Sequence, residues 1–277
     1  MTPIRPVLRY HGGKWRLVPW IISHFPAAHG RYVEPFGGGA SVLLRKKPSP
    51  HEVYNDLDQE IVNVFRVLRN HEQADRLCYL LSLTPYSHAE YDMGCEQVSL
   101  DDDPLEAARR TLTRSHMGYG NPTTGKYKTG FRSRYNMGGG NLAVSWAEYP
   151  KQIKWFVERL RTVTLECSEA ADCIARYDAP ETLFYVDPPY LPETRTAHSG
   201  GYRHEMTPDQ HQELAGVLHG VRGMVVLSGY DSPMYRELYA GWRVVTCEAR
   251  AEKAKPRTEV LWISPNAASS MAQRALY

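Results

Sequence analysis

The chain has no long hydrophobic run and no clustered cysteines. None of its apolar stretches approaches the ~18 uninterrupted residues needed to span a bilayer. Its first ten residues, MTPIRPVLRY, lack the apolar core of a secretory signal. We therefore expect a cytoplasmic protein with no membrane partner. The cysteines occur singly, at Cys78, Cys95, Cys167, Cys173 and Cys247. With no CxxC pair and no Cys/His cluster, we expect neither a disulfide framework nor a metal site.

Acidic residues are missing from the segment between Arg109 and Arg134, although the net charge of the chain is only +2. On charge alone, a solvated basic face and a surface for a polyanion explain this segment equally well. Its cations are Arg109, Arg110, Arg114, Lys126, Lys128, Arg132 and Arg134. Aromatic residues alternate with these cations, namely Tyr119, Tyr127, Phe131 and Tyr135. Because glycines also break any continuous helix here, the pattern favours contact with phosphates and bases.

The pattern of strands and helices predicts an α/β protein with an insertion. Strands at 31–36 and 51–55 flank a glycine turn and a helix, and an acidic residue follows the second strand. That order is typical of a βαβ unit in a nucleotide-binding sheet. Residues 71–150 contain helical stretches and no buried parallel strand, and the α/β pattern resumes after residue 151. We therefore predict a catalytic domain formed by residues 1–70 and 151–277, with an inserted, mainly helical domain at 71–150.

Two elements of the first half indicate a cofactor site. Glu34-Pro35-Phe36-Gly37-Gly38-Gly39 is a turn of small residues, at which a ligand can approach the backbone and the N–H groups of the next helix. Many such turns bind nothing. Asp56 stands about twenty residues further on, a spacing at which a carboxylate accepts hydrogen bonds from a ribose. Asp58, or Asp56 with it, is alternatively a helix cap. Together the two elements favour a cofactor.

Asp187-Pro188-Pro189-Tyr190 follows the apolar strand 183–186. Two prolines make a stiff, extended exit at the carboxyl edge of the sheet, where α/β proteins hold ligands. There the Asp187 carboxylate and the Pro188 carbonyl could both accept hydrogen bonds from one amino group, with Tyr190 as a flat surface for a base. The alternative is a surface turn with a capping aspartate. A further element, Arg9 to Lys14, contains Gly-Gly-Lys but lacks the spacing and the Ser/Thr of a P-loop.

Taken in order, these elements resemble the Dam-type (alpha-group) DNA N6-adenine methyltransferases. The family has an aromatic-x-Gly-Gly-Lys element, a Glu-Pro-Phe-x-Gly turn, an acidic residue after the second strand, an inserted recognition domain and Asp-Pro-Pro-Tyr. The resemblance covers most of the chain and implies a Rossmann-like sheet that binds S-adenosylmethionine. The implied cofactor contacts are Tyr10, Gly13, Lys14, Glu34, Pro35, Phe36, Gly38, Asp56, Asp172, Cys173 and Asp187. The implied catalytic residues are Asp187, Pro188, Pro189 and Tyr190.

The chain departs from the family pattern at three positions. Tyr10 replaces a tryptophan, so that a smaller ring stacks. Ala40 stands where a second glycine is usual, so we expect any requirement for positive φ there to be relaxed or moved. Cys173 replaces a frequent phenylalanine. Ser228-Gly229-Tyr230-Asp231 is similar to a later element of the family's catalytic wall.

The resemblance implies methylation of the adenine amino group in double-stranded DNA, with the target base flipped out of the helix. No obligate protein partner is expected. The candidate DNA contacts are Arg109, Arg114, Tyr119, Asn121, Lys126, Lys128, Arg132 and Arg134. Cytosine in DNA, RNA or a protein glutamine remains open as the substrate, and so does a non-catalytic DNA-binding role. A nicotinamide dehydrogenase is excluded because the glycine turn lacks GxGxxG spacing.

Overall fold

The sheet has seven strands in the order β3-β2-β1-β4-β5-β7-β6. The computed structural model describes residues 5–120, 129–133, 141–191, 202–249 and 257–274. The strands are β1 Arg31–Glu34, β2 His51–Asn55, β3 Val163–Glu166, β4 Thr182–Val186, β5 Met224–Gly229, β6 Arg243–Ala249 and β7 Arg257–Ile263. Strands β1 to β5 pair in parallel, and β7 runs antiparallel to β5 and β6. This architecture confirms the α/β, Rossmann-like expectation.

Helices cover both faces of the sheet. They are α1 Val18–Ser23, α2 Ser41–Arg45, α3 Gln59–Arg69, α4 His71–Leu83, α5 His88–Gly94, α6 Pro104–Met117, α7 Leu142–Ala147, α8 Ile153–Leu160, α9 Ala170–Tyr177, α10 Pro208–Gly220, α11 Pro233–Leu238 and α12 Pro265–Arg274. No helix in the described parts of the chain is long and apolar enough to cross a membrane.

Alternation along the strands divides the core into two layers. Tyr32 and Tyr54 point to one face of the sheet, and their neighbours Val33 and Val53 point to the other. Successive side chains of a strand face opposite sides, so each strand supplies both layers. The first layer packs against helices that include α3 and α8, and the second against α9, α10 and α11. All four residues are fully or almost fully buried, which anchors the sheet that carries the site.

The helices α4 to α7 lie within residues 71–150 and pack on the first face of the sheet. Buried side chains such as Leu77, Leu112 and Trp146 belong to the same hydrophobic cluster as the strands. Helix α6 packs along α3 and α5, and α4 packs on α3 and α8. Within the described part of this region, the β-structure is confined to an isolated bridge between Gly118 and Phe131, so the expectation of a mainly helical region without a buried parallel strand is confirmed there.

Local sequence signals located some elements well and missed others. Strand β2 has the predicted bounds, and α10 begins at Pro208, where Thr207 and Gln210 form a capping box. Apolar residues have helical spacing from Trp15 to Phe25, but α1 begins only at Val18 and ends at Ser23. Strand β3 was not predicted, and only its first residue, Val163, is buried. A short strand with little buried surface shows no clear alternation of apolar and polar residues.

Candidate active site

The candidate site lies where the strand order reverses, between β1 and β4. Open α/β sheets bind ligands at the carboxyl ends of their strands at this point. Strand β1 ends in the Glu34-Pro35-Phe36 turn, and β4 ends in Asp187-Pro188-Pro189-Tyr190. A cavity of about 440 Å³ opens here, within the usual size of a small-molecule site. Its walls include most of the expected cofactor residues, namely Tyr10, Gly13, Lys14, Glu34, Pro35, Phe36, Gly38, Asp56 and Asp187.

The glycine turn is held in a left-handed conformation at two positions. Gly38 has φ +47° and Ala40 has φ +50°. The expectation that Ala40 relaxes or moves a positive φ is therefore wrong, because Ala40 itself adopts it. Its side chain is fully buried in the core, and packing of that methyl group offsets a backbone cost of roughly 1–2 kcal/mol. At Gly37, an added Cβ would lie 2.1 Å from the Tyr54 ring, so a larger residue does not fit.

Glu34 lines the cavity and accepts a hydrogen bond from the start of α2. Its Oε1 accepts hydrogen bonds of 2.6 Å from the Tyr32 hydroxyl and the Leu43 backbone N–H. The Leu43 N–H at the start of α2 is therefore already used by the protein. Burial raises the pKa of Glu34 to about 8, against the lowering effect of these two hydrogen bonds. As a neutral acid at pH 7, Glu34 can donate a hydrogen bond into the cavity.

Asp56 connects the second strand to the glycine turn. Its carboxylate accepts hydrogen bonds from the backbone N–H groups of Gly38, at 2.7 Å, and Asp58, at 2.8 Å. Asp58, rather than Asp56, caps α3 by accepting from Glu60. Burial raises the pKa of Asp56 to about 6, although its backbone hydrogen bonds lower it. Asp56 therefore lies on the cavity wall as an acceptor whose charge changes near neutral pH.

Affinity for a ribose-bearing ligand is expected to fall on acidification. With a pKa of about 6 for Asp56, the ionised fraction, and with it the affinity, falls about fourfold from pH 7.5 to pH 5.5. Calorimetric titration with S-adenosylhomocysteine over this range measures the change. His11 and His204 also line the cavity, so Asp56→Asn is the control, and its affinity is expected to stay flat. An equally steep fall in that variant would assign the pH dependence to other groups of the cavity, such as Glu34.

The corner between the N-terminal element and β4 contains a buried ion pair. Lys14 Nζ lies 3.0 Å from Asp187 Oδ1 and donates to the Gly12 carbonyl oxygen at 2.9 Å. Burial lowers the pKa of Lys14, but the charges of Asp187 and Glu259 outweigh burial and hold that pKa well above its ordinary value. The same ammonium lies 4.5 Å from the centroid of the Tyr190 ring. The Gly-Gly-Lys element and Asp-Pro-Pro-Tyr thus meet directly.

Tyr190 is fixed on several sides. Its hydroxyl lies 2.8 Å from Ser228 Oγ and donates to Glu259 Oε2 at 3.2 Å. The Tyr230 ring packs edge-on at 4.6 Å between centroids. Only 5% of Tyr190 is exposed, and the cavity is lined by Asp187 and Pro189 of this motif but not by Pro188 or Tyr190. Sequence reasoning did not identify Glu259, because nothing in its local sequence indicates proximity to β4.

Asp172 and Cys173 do not line the cavity, which corrects the expectation drawn from the family. Both lie on α9, where Cys173 is fully buried in the core and Asp172 points to solvent. The preceding residues, 168–171, face the cavity instead. A helix turns 100° per residue, so a shift of one or two positions changes the face that a side chain occupies.

The segment 202–206 and one face of α10 form a wall that the sequence did not reveal. The cavity contacts are Tyr202, Arg203, His204, Glu205, Met206, Gln210, Glu213, Leu214 and Val217. An added Cβ at Gly12 would lie 2.2 Å from the Tyr202 hydroxyl, and Gly12 also has φ +73°. The segment therefore packs closely on the Gly-Gly-Lys element. Its only sequence signal was the spacing of apolar residues on α10.

The basic residues expected to contact DNA fall into three groups. Arg109 is buried, and its guanidinium donates to Glu106, Glu90 and Thr84. We therefore withdraw its assignment as a DNA contact. Arg114 is mostly buried and paired with Glu60, so it does not present a free cation either. Asn121, Lys126, Lys128 and Arg134 lie outside the described residues.

Tyr119 and Arg132 remain as candidates at the end of α6. Tyr119 is 58% exposed. The backbone of Arg132 is fixed by a hydrogen bond from its N–H to the Met117 carbonyl oxygen and by one from the Tyr86 hydroxyl to its own carbonyl oxygen. Toward the described residues, its guanidinium makes a long contact of 3.5 Å to the His116 carbonyl oxygen. Phe131 packs against Tyr86 at 5.1 Å between centroids and anchors the segment.

Comparison with known proteins agrees with the order of these elements. Residues 10–253 match the family described as D12 class N6 adenine-specific DNA methyltransferase. The chain belongs to this family. DNA adenine methylase of Vibrio cholerae is 26% identical over 255 residues, covering 87% of each chain. DNA adenine methylase of Escherichia coli K12 is 26% identical over 248 residues, covering 86% of this chain and 85% of that one.

Among solved structures, a SAM-dependent methyltransferase from Agrobacterium tumefaciens aligns with 91% of this chain and 62% of its own, at 10% identity and a TM-score of 0.41. Membership of the D12 class makes this chain an adenine-specific DNA methyltransferase with S-adenosylmethionine as methyl donor. The site fits that donor, because the cavity offers the Asp56 carboxylate for a ribose and aromatic walls at Tyr10 and Phe36 for flat or apolar groups.

Proposed function

We propose that this D12-class methyltransferase acts on duplex DNA by flipping the target adenine into the corner beside Asp187. The observation that supports the proposal most is the buried contact of 3.0 Å between Lys14 and Asp187 at the edge of the cavity. The Lys14 ammonium holds the Asp187 carboxylate in place, and a carboxylate oxygen is an acceptor for an amino hydrogen. The expected cofactor residues and this carboxylate border one cavity, as methyl transfer requires.

Asp187 and the Pro188 carbonyl would act on the nucleophile. The lone pair of the adenine amino group is delocalised into the ring, so the nitrogen is a weak nucleophile. By accepting the two amino hydrogens, Asp187 and Pro188 would draw the nitrogen toward tetrahedral geometry and free its lone pair. S-adenosylmethionine supplies an electrophilic methyl group when bound. Positioning and electrostatics provide the catalysis, and no covalent intermediate with the protein is needed.

Tyr190 and Pro189 would bound the place of the flipped base. The hydrogen bonds of the Tyr190 hydroxyl to Ser228 and Glu259 fix the orientation of the ring before the base arrives. A fixed aromatic ring costs little conformational entropy on binding. Because only 5% of Tyr190 is exposed, we propose that the base contacts a small part of its ring, with Pro189 in the cavity wall beside it.

We propose that residues 71–150 form the unit that contacts DNA, through the end of α6 and the segment that follows it. Tyr119 and Arg132 support this, because the first is exposed and the second is held close to the end of α6. Asn121, Lys126, Lys128 and Arg134 lie outside the described residues and remain candidates from the sequence. Arginine can pair bidentately with guanine, and aromatic rings can stack on bases.

Arg132→Ala is expected to weaken DNA binding about tenfold and leave cofactor affinity unchanged, because one base or phosphate contact is lost. Fluorescence anisotropy with a labelled duplex measures the effect at several salt concentrations. A smaller salt slope would indicate a phosphate contact, and relaxed sequence preference a base contact. Arg76→Ala, at an exposed position of α4, is the control for loss of one surface charge. Unchanged DNA affinity in the Arg132 variant would refute the contact.

Transfer of labelled methyl from S-adenosylmethionine to unmethylated DNA by the purified chain alone tests the proposal. Duplex and single-stranded substrates are compared, followed by nucleoside analysis and sequencing of the methylated sites. Label in N6-methyladenine, with the duplex preferred, is the expected result. Preference for the single strand would overturn base flipping. Label only in N4-methylcytosine or in RNA would overturn the target, and a requirement for a second protein would overturn independent action.

A further inference from the structure

Glu60, in the first turn of α3, lies between two arginines that come from different parts of the molecule. Its Oε2 atom is 2.5 Å from Arg114 Nη2 and 2.9 Å from Arg203 Nη2. Arg114 belongs to the last turn of α6, four residues before Gly118. Arg203 belongs to the segment 202–206 on the cavity wall. One carboxylate oxygen therefore links the DNA-facing end of α6 to the cover of the cofactor cavity.

The contacts continue from Glu60 to the expected ribose-binding carboxylate. Arg203 Nη1 lies 3.3 Å from Asp58 Oδ1, and the Asp58 side chain caps α3 at the Glu60 N–H. The Asp58 N–H in turn donates to Asp56 at 2.8 Å. An unbroken series of polar contacts thus connects Asp56, on the cavity wall, with Arg114.

Within the described residues, two buried polar atoms of this network have no hydrogen-bond partner, Arg114 Nε and Asp58 Oδ2. Buried polar groups are nearly always paired, so these two atoms mark an arrangement that is not at its optimum. Two guanidinium groups also share one Glu60 oxygen. This sharing is a second sign that the arrangement is not at its optimum. A small displacement of Arg203 would let Glu60 pair with Arg114 alone, which would be a second arrangement of the network.

We propose that Glu60 is a positioning residue through which occupancy of the cofactor cavity controls the placement of Arg114 and the end of α6. This inference rests on the proposed function. A ligand that holds segment 202–206 in one position also holds Arg203 in one pairing. Because Glu60 contacts both arginines, a change in the pairing of Arg203 changes the position of Arg114. By linkage, DNA that fixes the end of α6 must strengthen cofactor binding by the same factor.

The test is the dissociation constant of S-adenosylhomocysteine, measured by calorimetry with and without a saturating short duplex that carries the mapped methylation site. For the unaltered protein we expect DNA to tighten this binding at least about fivefold. In Glu60→Gln, the ratio of the dissociation constant without DNA to that with DNA is expected to fall toward one. The dissociation constant measured without DNA is expected to change less than about threefold. Arg203→Gln, at a more exposed position, should lower the ratio in the same way and guards against misfolding of the first variant.

Glu106→Gln is the matched control. Glu106 is also a carboxylate of the helical layer shared by two arginines, Arg109 and Arg110, but it lies outside the cavity. Its variant should keep the full ratio. An unaltered protein with a ratio of one, variants that keep the full ratio, or a control that loses it equally would each overturn the role of Glu60. Failure of methyl transfer by the unaltered protein would instead overturn the proposed function.

Discussion

Asp187→Ala is expected to lower the rate of methyl transfer roughly 10³-fold while DNA still binds. The reason is that the carboxylate acts on the amino nitrogen as it rehybridises, so its loss raises the barrier more than it weakens DNA binding. Single-turnover methylation of a short duplex measures the rate, and anisotropy and calorimetry measure the affinities for DNA and cofactor. Asp187→Asn keeps the shape of the side chain and should remain severely impaired, since the negative charge is absent.

Asp178→Ala is the matched control for this variant. The Asp178 side chain is 17% exposed and pairs with Arg222, while that of Asp187 is 18% exposed and pairs with Lys14. Asp178 accepts from the Gly223 N–H next to the start of β5, outside the cavity. The Asp178→Ala variant should be less stable, but its rate of methyl transfer per folded molecule should stay the same. A turnover above one tenth of the original in Asp187→Ala would show that another group accepts the amino hydrogens.

Lys14→Met is expected to lower the methylation rate roughly 10- to 100-fold. This factor corresponds to the free energy that a hydrogen bond to a charged group usually contributes. Methionine keeps the length of the side chain but removes the contact to Asp187, the hydrogen bond to the Gly12 carbonyl and the cation over the Tyr190 ring. Asp187 would lose the buried counter-ion that fixes its orientation. The single-turnover rate of methylation measures the effect.

Lys46→Met separates catalysis from stability. Lys46 is a second buried lysine, 2.6 Å from Glu52, and it does not line the cavity. Glu52 keeps its pair with Arg159 in this variant, so the expected loss of stability is smaller than the roughly 3–5 kcal/mol for a buried charge left without a partner. We expect urea unfolding to show a loss of stability in this variant, without a loss of rate per folded molecule. A rate in Lys14→Met equal to that of the original protein would limit Lys14 to a role in folding.

Much of the site can be predicted from local sequence, because its motifs directly follow strands. The order of these strands in the sheet is typical of α/β proteins. The glycine turn and Asp187-Pro188-Pro189-Tyr190 follow apolar strands, so the pattern alone places them at the carboxyl edge. Asp58 as the cap of α3 and Thr207 as the cap of α10 were equally readable, since a cap is formed by residues three or fewer positions apart.

Helix phase and long-range pairing were not readable from the sequence. The expected contacts at Asp172 and Cys173 were wrong because the face of α9 toward the cavity depends on how that helix packs. Arg109 and Arg114 belong to a basic cluster in sequence, yet carboxylates distant in the chain, Glu90 and Glu60, neutralise them. A count of charges along a segment cannot include partners that only folding brings near.

The α/β class, the order of the motifs and the chemistry of the groups at the strand ends are readable from the amino-acid sequence, because these depend on neighbouring residues. Which of these groups meet depends on the fold. It joined Lys14 to Asp187 across 173 positions and Glu259 to Tyr190 across 69, and it retained a left-handed backbone at Ala40. Contacts between residues far apart in the chain, and strain offset by core packing, are properties of the folded molecule as a whole.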